Sequence, residues 1–327
     1  MENEFPIAEL TDDDVPTVLE LCREALDLPE DADEAAAIVA RLRDDTALPG
    51  SATRRRTVGF VAVSGGAIVG VVLGSIADRD PAVGHVDLVA VHPARRRRGV
   101  GRALLVRIET ALAGLGAGEV LLAGNPPHYA WPGIDVRYTP AICTALALGY
   151  EQDRTAWNMT ADLSTDSSPA LRPTGDAEQR LAGRGVTVRR AGPGDVAALT
   201  EFARANFGTG WGAEVAHSIG REGAGCHLAI RPAGDAEILG FAAYGSSRPS
   251  WFGPMGTAPG AQGLGIGGVL LRRCLRDQRT AGHKQAQIGW VGPVPFYAGN
   301  AGAWIERVFF LYRKRLEAIS RRWPTTA

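Results

Sequence analysis

Two glycine-bearing loops are the residues best suited to chemistry. Arg96-Arg97-Arg98-Gly99-Val100-Gly101, followed by Arg102, and Gln262-Gly263-Leu264-Gly265-Ile266-Gly267 both read Arg/Gln-x-x-Gly-x-Gly. An apolar helical pattern follows each loop. A helix N-terminus presents unpaired backbone N–H groups and a partial positive charge, and glycine lets the backbone approach a pyrophosphate closely. Pyrophosphate binding therefore needs no dedicated side chain. A second concentration lies in NPPHYAWPGID, where Asn125, His128, Tyr129, Trp131 and Asp135 share a Pro/Gly-rich segment. His128 is of the residue type that titrates near neutrality and serves as a base, although a histidine among aromatics is more commonly a structural hydrogen bonder.

These residues need elements to hold them, and the same order of elements occurs twice. In the first half, Pro6 to Leu10 reads as a short strand, and the TDDD run before Val15, Val18, Leu19 and Cys22 reads as a helix start. Val186 to Arg190, then Asp195 before Val196, Leu199 and Phe202, repeat that order. Thr57 to Val63 and Ala67 to Gly74 predict a hairpin around Gly65-Gly66, and Cys226 to Arg231 with Glu237 to Tyr244 predict its counterpart around Gly234-Asp235. Each half continues with a strand and a following proline, Val86 to Val91 then Pro93 and Met255 to Thr257 then Pro259, before its glycine loop and helix. Residues 163–185, rich in Ser, Pro, Gly and Asp, read as a linker. The domains expected are therefore 1–162 and 186–327.

At the strand, proline, glycine loop and helix, the chain strongly resembles motif A of the GNAT (GCN5-related N-acetyltransferase) superfamily, and the duplicated order extends the resemblance over nearly all of it. The resemblance implies an α/β protein of two tandem GNAT folds. Each would be a mixed, mostly antiparallel sheet, splayed between its fourth and fifth strands, flanked by helices, with acetyl-CoA wedged in the split. Backbone groups of Val89 and Val91, or of Met255 and Thr257, would then hold the pantetheine arm and polarise the thioester carbonyl. Such relatives often protonate the departing thiolate from a Tyr on the helix after the fifth strand. Phe296-Tyr297 falls there in the second half, so Tyr297 is the expected acid, with packing in the split as its ordinary alternative. Ala145 falls near that place in the first half, with Tyr138 just before it. The resemblance thus favours a catalytic C-terminal domain and a degenerate N-terminal one. Acceptor-side residues would be Trp211 and His217, with Glu201, Glu214 and Glu222 nearby, or in the first half Asn125, His128, Trp131 and Asp135.

Composition narrows the remaining choices. The formal net charge of −1 supplies no global field for nucleic acid or an anionic membrane. The basic runs Arg54 to Arg56, Arg95 to Arg98, Arg313 to Arg315 and Arg321-Arg322 read mostly as solvated faces, with Arg95 to Arg98 excepted because it sits on a phosphate loop. No stretch reaches the roughly 18 apolar residues of a membrane span, and the acidic start MENEFPIAELTDDD lacks a signal pattern. A cytoplasmic protein is expected. Cys22, Cys143, Cys226 and Cys274 are scattered and read as buried thiols, with no metal-ligand spacing. No loop-plus-acid pattern of a dinucleotide fold is present. An N-acetyltransferase acting on a small-molecule amine, monomeric or homodimeric, is the leading expectation. Its alternatives are a GNAT-fold aminoacyl transferase using aminoacyl-tRNA and a non-catalytic CoA-binding pseudo-transferase.

Overall fold

The structure, a computed structural model, describes residues 5–45, 55–77, 80–232 and 237–316. The first half contains β1 (Ile7–Glu9), α1 (Val15–Ala25), α2 (Pro29–Asp33), α3 (Ala35–Arg43), β2 (Arg56–Ser64), β3 (Ala67–Ala77), β4 (Asp80–Val91), α4 (Val100–Gly114), β5 (Glu119–Leu122), β6 (Ile134–Asp135), α5 (Thr139–Ala147) and β7 (Glu151–Asp162). After α6 (Gly175–Ala182), the second half follows with β8 (Thr187–Arg190), α7 (Val196–Phe207), α8 (Thr209–Ser218), β9 (Gly225–Arg231), β10 (Glu237–Tyr244), β11 (Trp251–Thr257), α9 (Ile266–Thr280), β12 (Gln285–Ile288), α10 (Val294–Ala301) and β13 (Trp304–Arg315). The duplicated order read from the sequence is therefore the order of the folded elements. Gly65 and Gly66 have positive φ at the β2–β3 turn, while Gly234-Asp235, Arg54 and Arg321-Arg322 lie outside the described residues.

Burial follows the periodicity of each element. On α1 the buried residues are Val18, Leu21, Cys22 and Ala25, a three-and-four spacing that aims one stripe at the sheet. α4 and α9 bury longer stripes against the opposite faces of their own halves, through Leu104, Ile108 and Leu112 and through Val269, Leu270 and Cys274.

All thirteen strands join one sheet, and it does not divide where the sequence repeat does. The order is β1-β2-β3-β4-β5-β13-β7-β12-β11-β10-β9-β8, with β6 beside β13. The last strand of the chain, β13, thus stands between β5 of the first half and β7, and β7 reaches across to β12 of the second. Each half is completed by the other's final strand. Among the described residues only β4–β5 and β11–β12 pair in parallel. Within 163–185, Leu163, Ala170 and Leu181 pack into the second half's core, Leu181 from the buried face of α6 and Leu163 with its N–H on the Lys284 carbonyl at 2.9 Å; the stretch is more ordered than a tether. Cys22, Cys226 and Cys274 are buried as read, whereas Cys143 is exposed, because it lies on the side of α5 that lines the open cavity.

Candidate functional site

In the first half β4 and β5 pair only at Val83–Glu119, Gly84–Val120 and His85–Leu121, and then diverge. At the fork, His85 Nδ1 lies 2.9 Å from the Ala123 carbonyl. Beyond it a cavity of about 860 Å³ opens between β4, the start of α4 and α5, within the usual range for a ligand pocket. Asp87, Val89 and Val91 alternate as the less buried residues of β4. Beyond His85 the edge of β4 no longer pairs with β5, and Val86 to Val91 line the cavity, with the Val91 carbonyl accepting from Arg96 Nε at 3.2 Å. That is the edge a pantetheine arm would use.

The glycine loop closes one end of the cavity. Gly99 adopts φ +86° and caps α4, a left-handed conformation that a side chain strains. The first intrahelical bond runs from Ala103 N–H to Gly99 O at 2.9 Å, which leaves the N–H groups of the first turn for a ligand. Arg97 also stands at positive φ, +63°, where Gly263 stands at +79° in the other half. Arg96 is committed to structure: its guanidinium bonds Asp27 at 3.0 Å and Ala25 O at 2.8 Å. Arg95, Arg97 and Arg102 line the cavity, while Arg98 does not. The residues present suit a pyrophosphate, with cationic side chains around it.

At the other end stand Asp87, Tyr129, Trp131, Asp135 and Tyr138. A β-bulge produces the first of these. Leu73 faces Leu88 and Gly74 faces Val86, so Asp87 has no cross-strand partner, and a bulge of this kind re-aims a side chain. Its carboxylate meets Arg55 at 2.8 Å with both side chains 1% exposed. Burial pushes the Asp87 carboxyl up to about 6, against the pull of Arg55. Counted from Pro93 and Pro259, the matching bulge residue of β11 is Gly253, which carries no carboxylate. Asp87 was not among the residues singled out from the sequence. Its signal was present, as a lone acid inside the apolar run VDLVAV, but only the bulge says where it points. Burial holds the Tyr138 phenol protonated far above its ordinary range.

The second half repeats the backbone with different side chains in the split. Gly265 adopts φ +87° before α9, and β11 leaves β12 after Phe252–Ile288. Leu264, Met255, Val294 and Phe296 pack against the core there. A Cβ on Gly267 would meet the Phe296 ring at 3.2 Å. Tyr297, 7% exposed, packs edge-on against Phe252 and Phe296, with centroids 6.1 and 5.1 Å away. Burial raises its phenol well above the ordinary range. Gln262, Gly263, Ile266 and Thr257 keep the positions expected of them around that loop. The split expected to hold the working acid is thus occupied by the side chains themselves.

The remaining acceptor-side expectations divide. Trp131 and Asp135 line the first-half cavity. Asn125, buried, donates to Ser75 Oγ at 3.0 Å. Trp211 stacks on Phe207 at 4.9 Å in the core of the second half, an aromatic packing role. His128 corrects its expectation as a base near neutrality: it is 1% exposed, and burial beside Arg41 and Arg55 depresses it to about 2. It stays neutral. His217, edge-on to His128 at 5.3 Å, is depressed by burial to about 4. Glu214 nearby is buried and pushed up to about 8, with Arg41 opposing. Glu201 pairs with Arg204 on the surface. Asn125, Trp211, His128, His217, Glu214 and Glu201 do not line the cavity.

Comparison with known proteins agrees with this geometry. Residues 19–130, which include the diverging β4 and its glycine loop, match the family model described as Acetyltransferase (GNAT) family. A mycothiol acetyltransferase of Salinispora arenicola (strain CNS-205) is 31% identical over 219 residues, 61% of this chain and 63% of that protein. The chain therefore spans less than two thirds of that relative's length. A tandem GNAT protein from the clavulanic acid biosynthesis pathway is 18% identical with TM-score 0.65, covering 95% of this chain and 98% of that one. The GCN5-related glucosamine N-acetyltransferase region of a fungal multi-domain β-N-acetylglucosaminidase is 18% identical with TM-score 0.73, covering 95% of this chain and 38% of that one. The fold agreement thus extends over both halves, and the family-model match lies in the first half. Residues 19–130 thus match the GNAT acetyltransferase family, and the chain as a whole is similar in fold to a tandem GNAT protein.

Proposed function

We propose that the protein transfers an acyl group, most simply acetyl, from acyl-CoA to an amine of a small molecule, with the donor in the cleft of the first half. The observation that carries this is the single cavity linking the α4 N-terminus to Asp87 and Tyr138. In this reading the first-turn N–H groups of Gly99 to Arg102 bind the pyrophosphate, and Val89 and Val91 bind the pantetheine arm. An N–H aimed at the thioester oxygen stabilises the developing oxyanion, a contribution of about 3 kcal/mol per donor. The amine nitrogen attacks the carbonyl carbon, its proton passes to Asp87, the C–S bond breaks, and Tyr138 protonates the thiolate. The names of the two relatives, one for mycothiol and one for glucosamine, support a small-molecule acceptor.

This reading moves the working half from the second to the first. A second reading keeps Tyr297 as the acid, and the repeated loop geometry at Gly265 favours it; it requires Phe296 to leave the split. The aminoacyl-tRNA reading finds less support, because Arg55 and Arg96 are already paired with Asp87 and Asp27. Paired variants separate the first two. Gly99→Val is expected to weaken acetyl-CoA binding by at least about tenfold, through strain at positive φ and obstruction of the loop, while Gly265→Val leaves it within about twofold. Calorimetric titration checks both. The opposite pattern would return the donor to the second half, and no binding by the parent protein would remove acyl-CoA altogether.

A further inference from the structure

The first-half cleft is not built by the first half alone. β13, contributed by the last residues of the second half, pairs with β5 and β6 along the cavity's edge. From it Arg307, 0% exposed, reaches three carboxylate oxygens. Its Nε donates to Asp135 at 2.8 Å, and its two terminal nitrogens donate to Asp31 of α2 at 2.8 Å each. A second arginine of that half, Arg248, also buried, donates to Asp31 at 2.7 Å, to Glu34 at 2.6 Å and to the Glu30 carbonyl at 2.8 Å.

Asp135 lines the cleft, and Asp31 lies one step behind it. The Tyr138 N–H donates to the Asp135 carbonyl at 2.9 Å, and the Val136 N–H donates to the Val308 carbonyl on β13 at 3.0 Å. The segment carrying Tyr138 is therefore hung on β13 by a side chain and by backbone. Asp31 and Arg307 are also charges that Tyr138 senses directly. Ahead of α2, Ala25 and Asp27 line the cavity and receive Arg96 of the glycine loop. Planar guanidinium groups holding carboxylates in two directions fix orientation as well as distance.

Resting on the reading that the donor lies in the first-half cleft, we propose that Arg307 is a positioning residue for Tyr138, acting through Asp135 and Asp31 with Arg248 as its brace, so that the site is a composite of both halves. Its role is orientation, since Arg307 itself does not line the cavity. The second half then serves as the fixed mount of the proton donor in the first.

The test uses the full chain with 3-fluorotyrosine at position 138, observed by ¹⁹F NMR and titrated with acetyl-CoA. In the parent protein one resonance is expected, and acetyl-CoA should move it. Arg307→Lys cannot span both carboxylates, so the resonance should split or broaden while acetyl-CoA affinity stays within about threefold. Leu199→Val, a buried change in α7 of the second half, provides a stability control and should leave the resonance single. Where Arg307→Lys fails to fold, Arg248→Lys loosens Asp31 from its other side and should give the same change. A folded Arg307→Lys protein with an unaltered resonance overturns the proposal, as does loss of the fold in both arginine variants, which would make the clamp purely structural. A parent resonance that acetyl-CoA leaves unmoved while still binding would instead overturn the placement of the donor beside Tyr138.

Discussion

Asp87→Asn is expected to lower turnover by about 10²- to 10⁴-fold, the usual worth of a positioned base, without loss of acetyl-CoA affinity. Asparagine keeps the size of aspartate and can still accept from Arg55, but it leaves the buried guanidinium without its carboxylate, a cost of about 3–5 kcal/mol, so the assay is read at a temperature where the variant is shown to be folded. What it cannot do is take a proton from the acceptor amine. The sign of the pH dependence follows from the direction of the shift: burial raises the carboxyl to about 6, and the base works only when ionised. The rate of the parent enzyme should therefore rise with pH through that value and level off above it. The limb should vanish in the variant. His128 and His217 give no competing limb near neutrality, because burial holds both far below their ordinary value. Tyr138, protonated far above its ordinary range, adds no alkaline limb at physiological pH. A pH–rate profile of kcat/KM for both proteins, with circular dichroism as a check on folding, decides the matter. An Asn variant that retains the acid limb would exclude Asp87 as the base.

A chain ending at residue 162 is expected to be unfolded or aggregated and to bind no acetyl-CoA, although it contains the family-model match and the whole glycine loop. Its β5 would lose the neighbour β13 and present a bare edge, an invitation to aggregation. Phe309, Leu311 and Tyr312, each at most 2% exposed, would leave the core. Asp31 would lose Arg307 and Arg248, and Asp135 would lose Arg307. Removing one partner of a buried ion pair costs about 3–5 kcal/mol, against a total domain stability of about 5–15 kcal/mol. The loss is too large to absorb. Supplying residues 163–327 as a second polypeptide should restore binding, because it returns β13. Thermal melting and titration of the two-chain mixture test this directly. A truncated chain that melts cooperatively and binds acetyl-CoA would show that β13 is dispensable.

The local patterns were legible without coordinates. The alternation of Thr57 to Val63 against Ala67 to Gly74, the three-and-four spacing from Val15 to Cys22, and the two glycine loops each specify their element by short-range rules: side-chain period, capping and steric freedom at positive φ. Repetition of that order gave the tandem fold. Three decisions lay beyond it. Which split stays open depends on whether Phe296 and Tyr297 face the groove or the core, a matter of packing between elements far apart in the chain. Asp87 becomes a candidate base only because an extra residue in β4 turns it from the ladder toward Arg55. His128 loses its candidacy because burial among cations removes its charge, and burial is a property of the assembled seam. The exchange of β7 and β13 is the clearest case: strand pairing partners are chosen by the whole sheet, since any half-buried strand of suitable alternation can pair with several neighbours. The sequence by itself determined the elements and the glycine loops, which short-range forces specify. The tertiary structure alone decided which half opens, which acid is buried there, and that each half's sheet is finished by the other.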